Sequence, residues 1–389
     1  MRSKPLSVLI LFMLCLGCVE PFSPNVSVVQ VNAMVVDGYI DAGGDAIVKL
    51  TRALPLLSFA EVPKVTGAIV TIESSDGESF NLAENSPATY SATNLDVNTK
   101  SKYTLHVRVP DGNEFISDQV TIHPTPPVGK VYYTFSASGD DIELRTDSED
   151  TNPDGTGYYL WECMETYEYR STLFSRYKRV NGVPLLRRQH EYVDTCWRET
   201  PIPVIVGTTK RLSKNLISGQ LLTRINKLDL KISRRYRIAV RQRAISEQEF
   251  IYRTQLKKTS DLQGSLFAEI PGPVVSNVRS TTNSTEYVLG YFRGQQVQQK
   301  VLYVSRIELP QQFQVEPPIP QQCGLEAACP TNMPVRGPNT CIDINLLSDT
   351  KIVITSFEFQ NSTVYTFAPI ECGDCRVVGG KTEPPPYWF

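Results

Sequence analysis

Histidine is nearly absent. The chain has three, His106, His123 and His190, in 389 residues. So few histidines, none beside a cysteine pair, leave little material for a histidine-based metal site or a histidine general base. There is no Gly-x-Ser-x-Gly elbow, no His-Glu-x-x-His and no phosphate-cradling glycine loop. An excess of basic residues is also missing. Lys and Arg total 39 against 41 Asp and Glu, so nothing in the global charge favours nucleic acid. No cofactor motif is present, and the chain reads as a non-enzyme.

Long apolar runs are missing too, apart from one. Arg2 and Lys4 precede Val8 to Leu16, and the run ends in Gly17-Cys18. A charged start, a short apolar core and a small residue before cysteine form a secretory signal too short to span a bilayer. Cleavage before Cys18 and acylation of its thiol are expected. That makes 1–17 a lipoprotein signal and leaves 372 residues (389 minus 17). Membrane attachment then rests on lipid, which needs more than one acyl chain to be stable.

After the signal the pattern is β. Val28 to Ile40, Ala46 to Leu50, Ala68 to Ile72 and Lys102 to Val109 are rich in β-branched or alternating residues. Asp76-Gly77 and Asp111-Gly112 lie between such runs. They predict tight hairpins with both turn positions at positive φ. His106 falls on the polar side of its strand. Residues 18–25 read as a tether and 26–122 as a first β-sandwich. The proline-rich stretch 123–129 reads as a linker.

A second sandwich is expected over 130–309. Its strands include Gly157 to Tyr169, Ser233 to Arg243, Glu286 to Arg293 and Lys300 to Glu308. One helix interrupts it, at about 246–262. Ser246 and Glu249 are placed for a capping box, and Ile245 and Phe250 for a hydrophobic staple. The reading packs this helix on the second sandwich. Residues 310–389 are Pro/Gln- and Cys-rich and irregular, and are expected to pack on the second domain. The fold class is therefore mainly β: two consecutive Ig-like or fibronectin-III-like sandwiches, one inserted helix and an irregular C-terminal region.

Seven cysteines follow Cys18. They are Cys163, Cys196, Cys323, Cys329, Cys341, Cys372 and Cys375. All are disulfide candidates in an exported chain, and their odd number leaves at least one free or paired outside. Cys372-Gly-Asp-Cys375 has redox or half-zinc spacing, but it lacks a strand-then-helix setting and a nearby histidine. A structural disulfide is the expected use.

Two clusters could hold a ligand. Asp150, Asn152 and Asp154, with Gly155, match the start of a calcium loop, but position twelve is Trp161 instead of glutamate. An acidic turn whose side chains bond their own backbone is the simpler reading. Arg235, Arg237, Arg241 and Arg243 share one side of a strand, opposite Tyr236, Ile238 and Val240. They form either a solvated face or a face for an anionic partner, such as a phosphate-bearing glycan or an acidic protein loop.

Short matches spread along the chain point further. They include Cys18-Val-Glu-Pro-Phe22, Val35-Val-Asp-Gly-Tyr-Ile40, Gly67-Ala-Ile-Val-Thr-Ile72 and Cys196-Trp197. Ser246 to Tyr252, Gly264-Ser-Leu-Phe267, Leu289-Gly-Tyr-Phe292, Cys372-Gly-Asp-Cys-Arg376 and Pro386-Tyr-Trp388 follow in the same order. In these the chain resembles a family of Bacteroidota outer-membrane lipoproteins known only as a domain of unknown function. The part from Gly67 to Ile122 also resembles the prealbumin-like sandwich that extends many TonB-dependent receptors. The resemblance implies a lipid-anchored, two-sandwich envelope protein and an outer-membrane β-barrel partner, a TonB-dependent receptor. It carries no catalytic residues. The sequence leaves open which membrane face is occupied. The alternative function is a stand-alone glycan- or peptide-binding lipoprotein. That function requires an exposed aromatic platform near Trp197 or Tyr387-Trp388-Phe389.

Overall fold

Three stretches of chain cross between two β-bodies, because strands late in the sequence return to complete the first. The computed structural model describes residues 32–55, 58–153, 155–180, 183–261, 274–327, 352–359 and 362–388. Cys18, Cys329, Cys341, Asp154 and Phe389 lie outside them, as do the signal and the tether.

The first body contains β1 (Met34–Asp41), β2 (Ala46–Arg52), β3 (Ile69–Ser74), β4 (Ser79–Ser86), β5 (Thr89–Ala92), β6 (Lys102–Arg108), β7 (Glu114–Ser117) and β8 (Val120–Thr121). Alternation sets its core. Tyr103, Leu105 and Val107 of β6 point inward and pack with Met34, Val36, Ile40, Val48 and Ile72. His106 faces outward, 3.2 Å from Glu73.

The Asp-Gly turns differ from expectation. Gly77 and Gly112 take positive φ, but Asp76 and Asp111 do not. Each glycine N–H donates to the residue three before it, and Ser74 and Val109 donate four residues ahead. These are three-residue loops, a type I turn followed by a left-handed glycine. Only the second residue of each pair needs the left-handed region.

The second body contains β9 (Val131–Phe135), β10 (Asp141–Glu149), β11 (Tyr158–Arg170), β12 (Tyr177–Val180), β13 (Val183–Leu186), β14 (Thr195–Thr208), β15 (Leu216–Asn226) and β16 (Arg235–Ala244). Sheet β15-β10-β9 faces sheet β14-β11-β16, which is extended by β19 (Gln298–Ser305). Three strands against four, in this connection order, make a fibronectin-III-like sandwich. Ile142, Leu144, Trp161, Tyr236, Ile238 and Val240 fill it.

Between β16 and β19 the chain leaves this body. It forms α1 (Glu247–Asp261), β17 (Val278–Ser280) and β18 (Val288–Gln295). The sequence reading placed Glu286 to Arg293 in the second sandwich, and the structure corrects this. β18 lies parallel to β1, with Met34 opposite Val288, and β17 pairs β7. The first sheet therefore runs β17-β7-β6-β3-β4-β5-β2-β1-β18. The Asn277 side chain nearly closes the ring: its Nδ2 donates to Phe292 O at 2.7 Å, and Phe292 N–H donates to its Oδ1 at 2.9 Å. Gly290 permits the β1 contact, since a Cβ there would sit 2.0 Å from Val36 O.

The helix begins as read, with Ser246 Oγ accepting from Glu249 N–H at 3.1 Å. The Glu249 carboxylate, however, binds arginines (below). The helix also spans both bodies. Phe250 packs on Tyr158 of β11, and Tyr252 packs on Tyr291 of β18.

The C-terminal region adds β20 (Glu326–Ala327), β21 (Ile352–Phe359) and β22 (Ser362–Pro369) in a small sheet ordered β13-β12-β21-β22-β20. Phe313, ahead of it, is buried against Phe135 of the second sandwich. Disulfides Cys196–Cys375 and Cys323–Cys372 tie this region down.

Candidate functional site

The site is organised by β16. Its arginines alternate with Tyr236, Ile238 and Val240, which enter the core, so all four leave on the other side of the sheet. They do not share one open face. The sheet's neighbours divide them into three environments, which corrects the expected anionic-partner face.

Arg235 and Arg237 lie under the C-terminal strap. The Arg235 guanidinium sits 4.8 Å from the Tyr303 ring and 5.6 Å from Trp388. That of Arg237 sits 4.0 Å from Tyr387. Each is a cation over an aromatic face. Tyr303 donates its hydroxyl to Tyr387 O at 2.8 Å, and Tyr387 hydrogen-bonds Glu199. Upstream, Trp197 and Lys381 exchange backbone hydrogen bonds at 2.8 and 3.0 Å. Trp388 is only 6% exposed. Trp388 is therefore a cover over Arg235, while Tyr387, over Arg237, keeps 39% of its surface exposed.

Arg243 is buried, 1% exposed, in an ion lock. Its Nη1 and Nη2 donate to Glu249 Oε1 at 3.3 and 3.4 Å, and Glu162 lies 3.7 Å away. Arg253, one turn along α1, reaches the same Oε1 at 3.4 Å. Burial pulls the Arg243 pKa down, and Glu249 opposes the fall. From the first body, Arg293 donates to Asp37 Oδ1 at 2.9 Å, and Gln295 Nε2 donates to Asp41 Oδ2 at 3.1 Å. The two groups share no hydrogen bond or ion pair among the described residues, but they meet electrostatically at the seam. There burial works against the Arg293 pKa, and Asp37, with help from Glu249 and Glu162, holds it up.

Arg241 stays exposed. It opens onto a cleft of about 460 Å³ between β1–β2 of one body and β11–β14 of the other, with Tyr39, Lys49, Met164 and Val204 also on its walls. A cleft at a domain seam is a common place for ligands. Of its charged residues, sequence reasoning singled out only Arg241.

His123 sits behind the lock, beside Glu249, Tyr291 and Arg293. Burial holds its pKa below the usual value, although Glu249 pulls the other way. The folded state therefore keeps His123 neutral where the unfolded chain begins to protonate, near pH 6.5. Its contribution is complete above that pH and is lost as pH falls towards the lower folded value. Urea unfolding at pH 7.5 and pH 5.5 should show a smaller acid-side loss in His123→Phe than in the parent. Equal losses would remove His123 from this account.

The cysteines separate by role. Cys372 and Cys375 do not pair with each other; each reaches a distant partner. Cys163 is not bridged. It lies on the central strand β11 with its thiol buried, and burial raises its pKa to about 12. Alkylation at pH 8, mapped by peptide mass spectrometry, should label Cys163 at least tenfold more slowly in the native chain than in urea. Asp150 is used locally. Its Oδ1 accepts from Asn152 N–H at 2.9 Å, the side-chain-to-backbone bond of an acidic turn, and its Oδ2 accepts from the Tyr159 hydroxyl at 2.9 Å, while Asp154 lies outside the described residues.

The family described as domain of unknown function (DUF4249) matches residues 19–301, which is 283 of the 389. The chain belongs to this family. The match covers both bodies, the helical excursion included, and ends within β19 before the strap. Among solved structures, a two-domain fibronectin type-III segment of chicken tenascin is 11% identical. It covers 55% of this chain and 91% of that one, with a TM-score of 0.16. Chicken CNTN1 FN1–FN3 is 12% identical over 54% and 59%, with a TM-score of 0.21. No curated protein matches. The fibronectin-III-like description of the second body rests on its strand order, not on these scores.

Proposed function

We propose that this member of the family is a lipid-anchored, non-enzymatic binding or scaffolding accessory of an outer-membrane β-barrel, with a TonB-dependent transporter as the partner. The observation that carries the reading is the short span between anchor and module. Cys18 and Met34 are 16 residues apart by number, a reach of at most roughly 55 Å when fully extended. Acylation at Cys18 would hold the first body close to the membrane. The buried ion lock and the three chain crossings would make both bodies one presented surface instead of beads on a flexible linker.

The test is a pull-down of the lipidated protein from its native membrane in mild detergent, with mass spectrometry of the eluate. A barrel protein at stoichiometry supports the proposal. A chain that elutes alone, while a known barrel complex from the same membrane survives the detergent, refutes it. A Cys18→Ser chain should leave the membrane fraction.

A further inference from the structure

The cleft at the seam holds two cations whose natural neutralisers are occupied elsewhere. On the β1–β2 ladder, Asp37 stands directly opposite Lys49. On the β11–β16 ladder, Glu162 stands directly opposite Arg241. Opposite charges so placed ordinarily pair across strands. Here Asp37 turns to Arg293, at 2.9 Å, and Glu162 to the buried Arg243, at 3.7 Å. Among the described residues, Lys49 and Arg241 are left without an ion pair, and both line the cleft. The cleft's own residues number three cations and two acids, and both acids are committed. Beside the cations the wall turns apolar. Met164 and Val204 are 39% and 37% exposed there, and Ile47 and Ile202 continue the surface. Exposed apolar side chains next to unneutralised charge are costly to leave in water and useful for an amphipathic guest.

We propose that this cleft binds an organic anion, a carboxylate or phosphate monoester carried on a short apolar chain. The head lies between Lys49 and Arg241, and the chain lies along Met164, Ile202 and Val204. A concave wall focuses the field of the two cations, and charge-assisted hydrogen bonds fix the head. The assignment does not depend on a transporter partner.

Methionine-methyl NMR on the full chain reads the site directly. Met164 lies in the cleft, while Met34 is buried in the first core and serves as an internal reference. Hexanoate, hexyl phosphate and hexanol are the probes. One or both anions should shift the Met164 methyl saturably and leave Met34 in place. Arg241→Gln and Lys49→Gln should each weaken that binding about tenfold or more. The tighter anion identifies the head group as carboxylate or phosphate. Three outcomes would overturn the proposal: saturation by hexanol with similar affinity, unchanged affinity in both variants, or no Met164 shift with either anion. An unmoved Met34 signal shows that the first body of each variant remains folded, and an unchanged urea midpoint shows the same for the second.

Discussion

Replacing Glu249 with alanine should lower the unfolding free energy by about 3–5 kcal/mol, among the largest effects of any single substitution here. The reason is what the change leaves behind. Arg243 has 1% of its side chain exposed, and Glu249 is its closest acid. Without that carboxylate a guanidinium stays buried with only Glu162, at 3.7 Å and one-third exposed, to offset it. Arg253 also loses its partner on the helix. The pair itself is a different matter. Arg243 Nε is buried with no hydrogen-bond partner, so the lock is incompletely satisfied. Replacing both residues together, as Arg243→Met with Glu249→Leu, should therefore cost far less than Glu249→Ala alone. Urea midpoints at unchanged m-value measure both. A loss under about 1 kcal/mol in Glu249→Ala would show that water or another group already compensates Arg243.

Cutting the chain at its proline-rich linker should abolish folding of the N-terminal piece. A fragment covering 26–122 contains every strand that the sequence assigns to a first sandwich. It lacks β17 and β18, which bring Val278, Val288 and Phe292 into that core. At about 1.5–3 kcal/mol for each buried side chain, the loss is roughly 5–9 kcal/mol. A typical domain has only about 5–15 kcal/mol in total. Appending residues 274–297 through a flexible linker should restore a cooperative melt and dispersed amide signals. A fragment 26–122 that already shows both would mean that the returning strands are decoration.

Local chemistry was readable in the sequence. The alternation of β6, the start of α1 and the acidic turn at Asp150 all depend on neighbours a few residues away. What failed was non-local. Glu286 to Arg293 has a strand pattern, but such a pattern does not name its partner, and a parallel pairing across some 250 residues leaves no turn signal. β15 was not read at all. Its ladder with β10 breaks register twice, which destroys the period-2 alternation that marks a strand. The arginines of β16 were visible as a row. Their separation into covered, locked and open depended on Trp388, Glu249 and Lys49, each from a different part of the chain. Cysteine pairing followed the same rule, since spacing alone cannot choose among connectivities.

The returning strands also set an order for assembly. Ile122 and Gln295 are 173 positions apart (295 minus 122). An exported chain, as proposed above, would emerge N-terminus first and deliver all of that length before β17 and β18 can dock. Until then β1 has one bare edge, and the pocket for Phe292 is open to water. An unpaired strand beside exposed apolar surface invites the neighbouring chain. The emerging protein would therefore pass through a stage, set by the order of emergence instead of by folding speed, in which a holding chaperone has something specific to protect.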